Sequence, residues 1–264
     1  MTNREGNEML SSTGTVLFTI FFLFSHQVFS QTNENAGSIS QFNGDVTVTS
    51  NGISTIPNLT LGEPAAIFDL SLGKGKLSFE PTLRFSMEGQ PWSFIFWWRY
   101  NLINIDKFKM NVGAHPAISF KPISIAKEEF PDKVTRARRF LAVEAAPNYF
   151  LTENISLGLY YLYARALEKD IVKNTHFIAF TPNFSNITLS DQFYMGFTPQ
   201  VYYLKRGKDG FYFNSTLTLA SRDCPVSLSA IFNITIDSNI PASHDYLWSI
   251  SLTYSFNNKY IKTK

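Results

Sequence analysis

The chain has 264 residues, of which 44% are hydrophobic, 16% aromatic and 17% charged, where an ordinary soluble domain carries about 25% charged residues. The formal net charge of +2 calls for no nucleic acid partner, and the apolar fraction excludes a disordered chain. No stretch reaches the roughly 18 apolar residues that a spanning helix needs, which excludes a multi-pass helical membrane protein.

The first element in chain order is a secretory signal. An apolar run from Val16 to Phe24 is followed by polar Ser25 and His26 and then by Val28-Phe29-Ser30, which suit the pockets of a signal peptidase. Residues 1–30 therefore read as a signal peptide, with Met9 as a second possible start, and the mature chain begins at Gln31. Residues 31–51 read as an N-terminal periplasmic segment, 52–257 as a transmembrane β-barrel and 258–264 as a short polar C-terminal tail. The single cysteine, Cys224, has no partner for a disulfide or a thiolate metal site. The four His show no metal-ligand spacing. Neither a metal nor a cofactor is expected.

From about residue 52 the apolar residues recur with period two, broken by Gly, Asn, Asp and Lys, which is the strand signal. Between Lys76 and Glu88, Leu77, Phe79, Pro81, Leu83, Phe85 and Met87 alternate with Ser78, Glu80, Thr82, Arg84 and Ser86. Strands are expected near 53–61, 66–72, 76–88, 91–102, 107–120, 137–150, 154–167, 174–187, 191–205, 210–220, 225–236 and 245–257. The chain is all-β, with twelve antiparallel strands in up-and-down order. Most of these runs exceed the five or six residues common in globular proteins and reach the roughly 9 to 11 of a tilted membrane strand. With both termini periplasmic, the even-numbered turns face the periplasm and should be short. Gly73 to Gly75, Asn104 to Asp106, Thr152-Glu153, Thr188 to Ser190 and Ser221 to Cys224 satisfy this, whereas the longest connection, Lys121 to Arg136, is an odd one and faces outside.

An open sheet of this length would expose one apolar face and two unpaired edges, so it must close in lipid or fold as a sandwich. The polar face of the last five strands carries Ser, Thr, Asn, Gln and Tyr rather than Lys and Glu, which suits a confined aqueous interior. Asn-x-Ser/Thr at Asn58, Asn154, Asn183, Asn186, Asn214 and Asn233 follows from that composition, because positions i and i+2 share a face. Trp92, Trp98, Tyr100, Tyr161, Tyr163, Tyr203, Trp248 and Phe256 fall on the apolar face and read as an aromatic girdle. Pro57, Pro81, Pro116, Pro147, Pro182 and Pro199 lie inside expected strands and are expected at bulges or bends, since each lacks the N–H that a ladder needs.

Inward positions place Asp69, Glu80, Arg84, Arg99, Lys109, His115, Arg138 and Glu144 on the second to sixth strands, and no charge well inside the eighth to twelfth. This lopsided set is the candidate solute site, because a narrow low-dielectric channel focuses charge. The same groups could equally neutralise one another as a salt-bridge network, since buried charge requires a partner. Arg136 and Arg139 stand where the sixth strand emerges and are candidates for lipopolysaccharide phosphates. No catalytic residue is assigned. Ser50-Asn51-Gly52 matches part of the outer-membrane phospholipase A motif, but the position of its general base is Val48.

The signal ending Val-Phe-Ser, the aromatic strands and the runs Ser50–Ser54, Pro64–Ser71 and Pro91–Tyr100 (SNGIS, PAAIFDLS and PWSFIFWWRY) resemble uncharacterised Gram-negative outer-membrane β-barrel proteins of the Bacteroidetes type. The resemblance covers roughly residues 45–257 and implies fold and location only, a barrel in the outer membrane; insertion by the outer-membrane assembly machinery is a separate expectation. One departure is that Leu252-x-Tyr254-x-Phe256 is followed by a polar tail. The resulting expectation is a narrow channel or solute-binding pore for a small polar or charged solute, because twelve strands fall between the filled barrel of eight and the open pore of sixteen. The alternatives are a plugged structural or surface-interaction barrel and, least favoured, a lipid hydrolase.

Overall fold

The computed structural model describes residues 39–125, 132–241 and 245–261. The expected signal peptide lies outside the described residues. So do 31–38, the tip of the longest connection at 126–131, residues 242–244 and the last three positions.

Twelve strands close into one antiparallel barrel. They are β1 (Ile39–Thr49), β2 (Ala65–Lys74), β3 (Leu77–Ser86), β4 (Pro91–Ile105), β5 (Phe108–Ile125), β6 (Asp132–Phe150), β7 (Ile155–Ala166), β8 (Asn174–Thr188), β9 (Phe193–Arg206), β10 (Lys208–Ser221), β11 (Val226–Ser238) and β12 (Tyr246–Ile261). Each strand pairs with its sequence neighbours, and β1 pairs with both β2 and β12, so the sheet has no edge. Closure satisfies the backbone within the sheet, which lipid cannot do.

Period-two patterning sets the two faces. Val48 on β1, Leu72 on β2, Trp98 on β4, Leu159 on β7, Val201 on β9 and Ile250 on β12 all face outward and stay exposed. An apolar coat running round the whole circumference far exceeds the few hundred Å² that a water-soluble monomer shows. The barrel therefore spans a membrane, and a closed antiparallel barrel of this kind belongs in the bacterial outer membrane.

Three boundaries differ from the sequence reading. The first strand is not 53–61 but Ile39–Thr49, inside the segment expected to be periplasmic. Gly52, Pro57, Gly62 and Pro64 interrupt the later stretch, which forms a connection with one 3-10 turn at Pro57–Leu59. Thr47 and Thr49 on β1 face Thr253 and Ser251 on β12, so a strand with few apolar residues is held by pairing on both sides. The second difference is that β12 runs on to Ile261, opposite Ile39, where a tail was expected. The third is that much of Lys121 to Arg136 extends the β5–β6 hairpin instead of forming a loop.

Pro81, Pro116, Pro147, Pro182 and Pro199 do not mark bulges. Register shifts lie at Arg84/Phe85, Asn101/Ile103, Phe184/Ile187 and Phe211/Tyr212. Each of these five keeps its place in one ladder and interrupts the other. Pro81 faces Phe96 on β4 while the β2–β3 pairing skips from Asp69↔Thr82 to Leu72↔Phe79. Pro116 faces Leu141 while the β4–β5 pairing skips from Ile95↔Ala117 to Trp98↔Ala114. Pro147 leaves a similar gap against β7. Pro182 and Pro199 share one between β8 and β9. A missing donor costs one local pairing, and the strands on either side carry the register through.

Candidate functional site

The inward charges divide into a consumed set and an open set. Register places Ser78, Arg99, Gly113 and Glu144 opposite one another on β3, β4, β5 and β6. Because Gly113 has no side chain, Glu144 reaches across β5 to Arg99: the Arg99 Nε–Glu144 Oε1 distance is 2.5 Å. A Cβ on Gly113 would stand 2.9 Å from that oxygen and 3.1 Å from the Trp98 carbonyl oxygen. Arg99 also donates to Glu80, which accepts a 2.6 Å bond from Ser78 Oγ. The Tyr160 hydroxyl donates to Glu144 Oε2 at 2.6 Å, and the Arg99 guanidinium lies 4.4 Å over the Trp97 ring. Glu80, Arg99 and Glu144, expected on the lumen wall, thus form one internally paired cluster.

Arg84 and Arg138 are placed differently. Arg84 faces Ser93, Ser93 faces Ser119 and Ser119 faces Arg138, an inward row across β3 to β6. The ion pairs among the described residues are Arg99 with Glu80 and Glu144, Arg136 with Asp170, and Arg139 with Glu168. None takes Arg84 or Arg138. Arg84 lies 5.2 Å over the Trp92 ring. Arg84 Nε, Arg138 Nε, Ser119 Oγ and His115 Nδ1 are buried without a hydrogen-bond partner, and all four residues line one cavity of about 520 Å³. His115 packs edge-on against Trp97, with ring centroids 3.7 Å apart.

Two inward charges escaped the sequence reading. Arg206, at the end of β9, is 7% exposed, lines the same cavity and stacks 5.7 Å from the Phe140 ring. This corrects the expectation that the eighth to twelfth strands place no charge well inside. Gly207, with φ +73°, makes the tight turn into β10 that leaves Arg206 on the strand, and the alternation Tyr202, Leu204, Arg206 was the available signal. Asp45 on β1 lies directly opposite Asp69, and was missed because β1 was sought further along. Asp69 accepts a 2.6 Å bond from Thr82. Lys109 is exposed, with its ammonium 4.9 Å over the Phe150 ring, and is not among the cavity residues.

The β1–β2 connection enters the lumen. Ser54, Thr55, Ile56, Leu59, Thr60 and Leu61 line the charged cavity, while Ile53 and Thr55 line a second one of about 270 Å³ walled by Thr198, Gln200, Asn214, Thr216 and Ile231. Trp92 Nε1 donates to the Leu59 carbonyl at 2.8 Å, Gly52 and Glu63 close the base through a 2.8 Å backbone bond, and Ile56 packs on a buried cluster that includes Phe177, Tyr202 and Tyr212. The neutral wall is satisfied by its own side chains: Tyr202 donates to Asn233 at 3.2 Å, Gln200 to Thr181 at 2.9 Å and Thr198 to Asn183 at 2.8 Å.

Among the girdle candidates, Trp98, Tyr100, Tyr161 and Trp248 face outward and are exposed. Tyr163, Tyr203 and Phe256 are half-buried. Trp92 is a correction. At 4% exposure it points into the lumen as the anchor of the inward connection, at the foot of the register shift between β3 and β4. Arg136 and Arg139 are engaged by the β7–β8 connection, Arg136 with Asp170 at 2.7 Å and Arg139 with Glu168 at 2.9 Å. Desolvation opposes ionisation of Glu168, but hydrogen bonds from the Arg139 side chain and N–H hold its carboxyl below the usual range. Ser50 Oγ accepts the Ile250 N–H at 3.0 Å and meets Ser249 Oγ at 3.3 Å, a seam between β1 and β12.

No protein-family model matches the sequence, and no curated protein does either. Solved structures do. The KdgM porin aligns over 81% of this chain and 99% of its own, at 9% identity and a TM-score of 0.52. An outer membrane channel from Pseudomonas putida F1 aligns over 84% and 97%, at 10% identity and 0.47. The NanC porin aligns over 83% and 100%, at 12% and 0.45. The fold is that of an outer-membrane porin-type barrel. At these identities the likeness is one of architecture, and the site must be argued from its own residues.

Proposed function

We propose that the protein is a narrow outer-membrane channel or solute-binding pore for a small charged or polar solute. The observation that carries this reading is the cavity of about 520 Å³ inside the closed barrel, walled by charged and aromatic side chains and narrowed by the inward connection. A filled structural barrel would have packed these groups against one another, as Glu80, Arg99 and Glu144 are packed. The KdgM porin, a pore by its name, is similar in architecture. Insertion by the outer-membrane assembly machinery and contact with lipopolysaccharide belong to the same proposal.

The test is heat-modifiable gel mobility of the detergent-extracted protein, followed by single-channel recording in a planar bilayer. Discrete conductance steps are expected. A folded, heat-modifiable barrel without conductance overturns the channel and supports the second reading, a plugged structural or surface-interaction barrel. That reading draws on one observation, the anchoring of Leu59 by Trp92 and of Ile56 on the Phe177–Tyr202 cluster. Ser50, bonded into the β1–β12 seam, gives the lipid hydrolase reading no support.

A further inference from the structure

We infer that Arg84, Arg138 and Arg206, with Ser119 between the first two, form a binding site for a small organic polyanion, a solute with two or more carboxylate or phosphate groups. The inference rests on the pore reading above and names what that pore takes.

Burying a guanidinium is costly unless its donors are met. Arg99 meets this requirement within the protein, through Glu80 and Glu144. Arg84, Arg138 and Arg206 have no ion pair among the described residues, and Nε of Arg84 and of Arg138 is buried without an acceptor. Ser119 Oγ, also without a partner, sits in the register row between them. Neighbouring strands are about 4.8 Å apart, so Arg84 on β3 and Arg138 on β6 stand about 14 Å apart along a curved wall that holds only Ser93 and Ser119 between them. One monovalent ion cannot serve both ends. Arginine's planar fork matches carboxylate and phosphate oxygens in pairs.

The remaining wall defines the body of the solute. Trp92 and Phe140 line the cavity beside Arg84 and Arg206, so the charged groups flank a flat or apolar frame. The volume of about 520 Å³ falls within the range of small-molecule sites. Glu63 and Glu88, the acids on the lining, are both exposed and form no ion pair with the three arginines; Asp69, whose charge Arg84 feels from beyond ion-pair distance, is bonded to Thr82.

The experiment uses the full-length chain, exported, extracted in detergent and checked for heat-modifiable mobility. Tryptophan fluorescence, for which Trp92 and Trp97 are built-in reporters, and calorimetry follow titration with citrate, glucose 1,6-bisphosphate, glucose 6-phosphate as the single-group control and glucose as the neutral control, at constant ionic strength. Saturable binding of citrate or of glucose 1,6-bisphosphate is expected, with none of glucose and only weak binding of glucose 6-phosphate, and comparison of citrate with the bisphosphate tells a carboxylate site from a phosphate site. Arg84→Gln, Arg138→Gln or Arg206→Gln should each weaken binding by about tenfold or more, while Arg136→Gln on the exterior leaves it unchanged. Absence of saturable binding, or binding that survives all three inward substitutions, overturns the site. If the variants do not fold, the reversal potential of the unaltered barrel in a potassium chloride gradient decides, anion preference supporting the site and cation preference overturning it. Binding without conductance keeps the site and removes the channel; conductance without binding keeps the channel and removes the site.

Discussion

The wall built by β3 to β6 and the wall built by β8 to β12 both turn polar groups away from lipid, but they satisfy them differently. On the wall of β8 to β12 neutral groups bond to one another across strands, as in Tyr202 on β9 with Asn233 on β11 and Thr198 on β9 with Asn183 on β8, and Arg206 at the end of β9 is its buried charge among the described residues. On the charged wall one cluster, Glu80–Arg99–Glu144, is closed on itself, and beside it the half-buried Arg84 and Arg138 make no ion pair among the described residues. Neutral hydrogen bonds are modest in net worth, so the neutral wall is a lining. Buried charge is strongly dependent on its partner, so the charged wall holds the most fragile contact and most of the candidate site, to which β9 adds Arg206.

Substitutions can break this contrast. The largest expected effect is from Arg99→Met, which leaves Glu80 and Glu144 facing each other and should cost about 3–5 kcal/mol, read as a fall in the urea midpoint of the detergent-solubilised barrel. Tyr202→Phe on the neutral wall should cost about 1 kcal/mol. If the two costs are equal, the contrast between the walls fails. Gly113→Ala comes next, at about 1–3 kcal/mol from overpacking, because its Cβ would press on the Glu144 carboxylate. Combined with Glu144→Ala it should cost much less than the two single changes together, and additive costs would deny that Gly113 serves the ion cluster.

Trp92→Phe removes the bond to the Leu59 carbonyl and should cost about 1 kcal/mol while raising single-channel conductance, since the connection loses its tie to the wall. Unchanged conductance would mean that the connection is held by Ile56 alone. The smallest effect concerns the exposed pair of Arg139 and Glu168, worth about 0.2–1 kcal/mol. Glu168 has a depressed carboxyl, so its contribution is present above the unfolded-state value of about 4.3 and lost as pH falls through the folded-state value. Glu168→Gln should therefore lower the urea midpoint slightly at neutral pH and leave it unchanged in acid.

Much of this was legible in the residues themselves. Period two along β2 to β12, strand lengths above those of soluble sheets and short even-numbered turns are local properties, and they were sufficient for eleven of the twelve strands, closure and location. Alternation also brought out Glu80, Arg84, Arg99, Arg138 and Glu144, because side-chain facing follows from strand position alone. What alternation could not decide was which strand comes first: Ile39–Thr49 is too polar to stand out, and it is a strand because β2 and β12 pair with it on both sides. Nor could it tell that Trp92 turns inward, since the register shift between Arg84 and Phe85 is a relation between two strands.

The sequence by itself therefore determined a lipid-embedded barrel with a polar, lopsided interior. The tertiary structure decided which of its charges cancel and which face a cavity, because ion pairing depends on register across strands. Arg99 meets Glu144 only through the gap at Gly113, whereas Arg84 and Arg138 have serines between them.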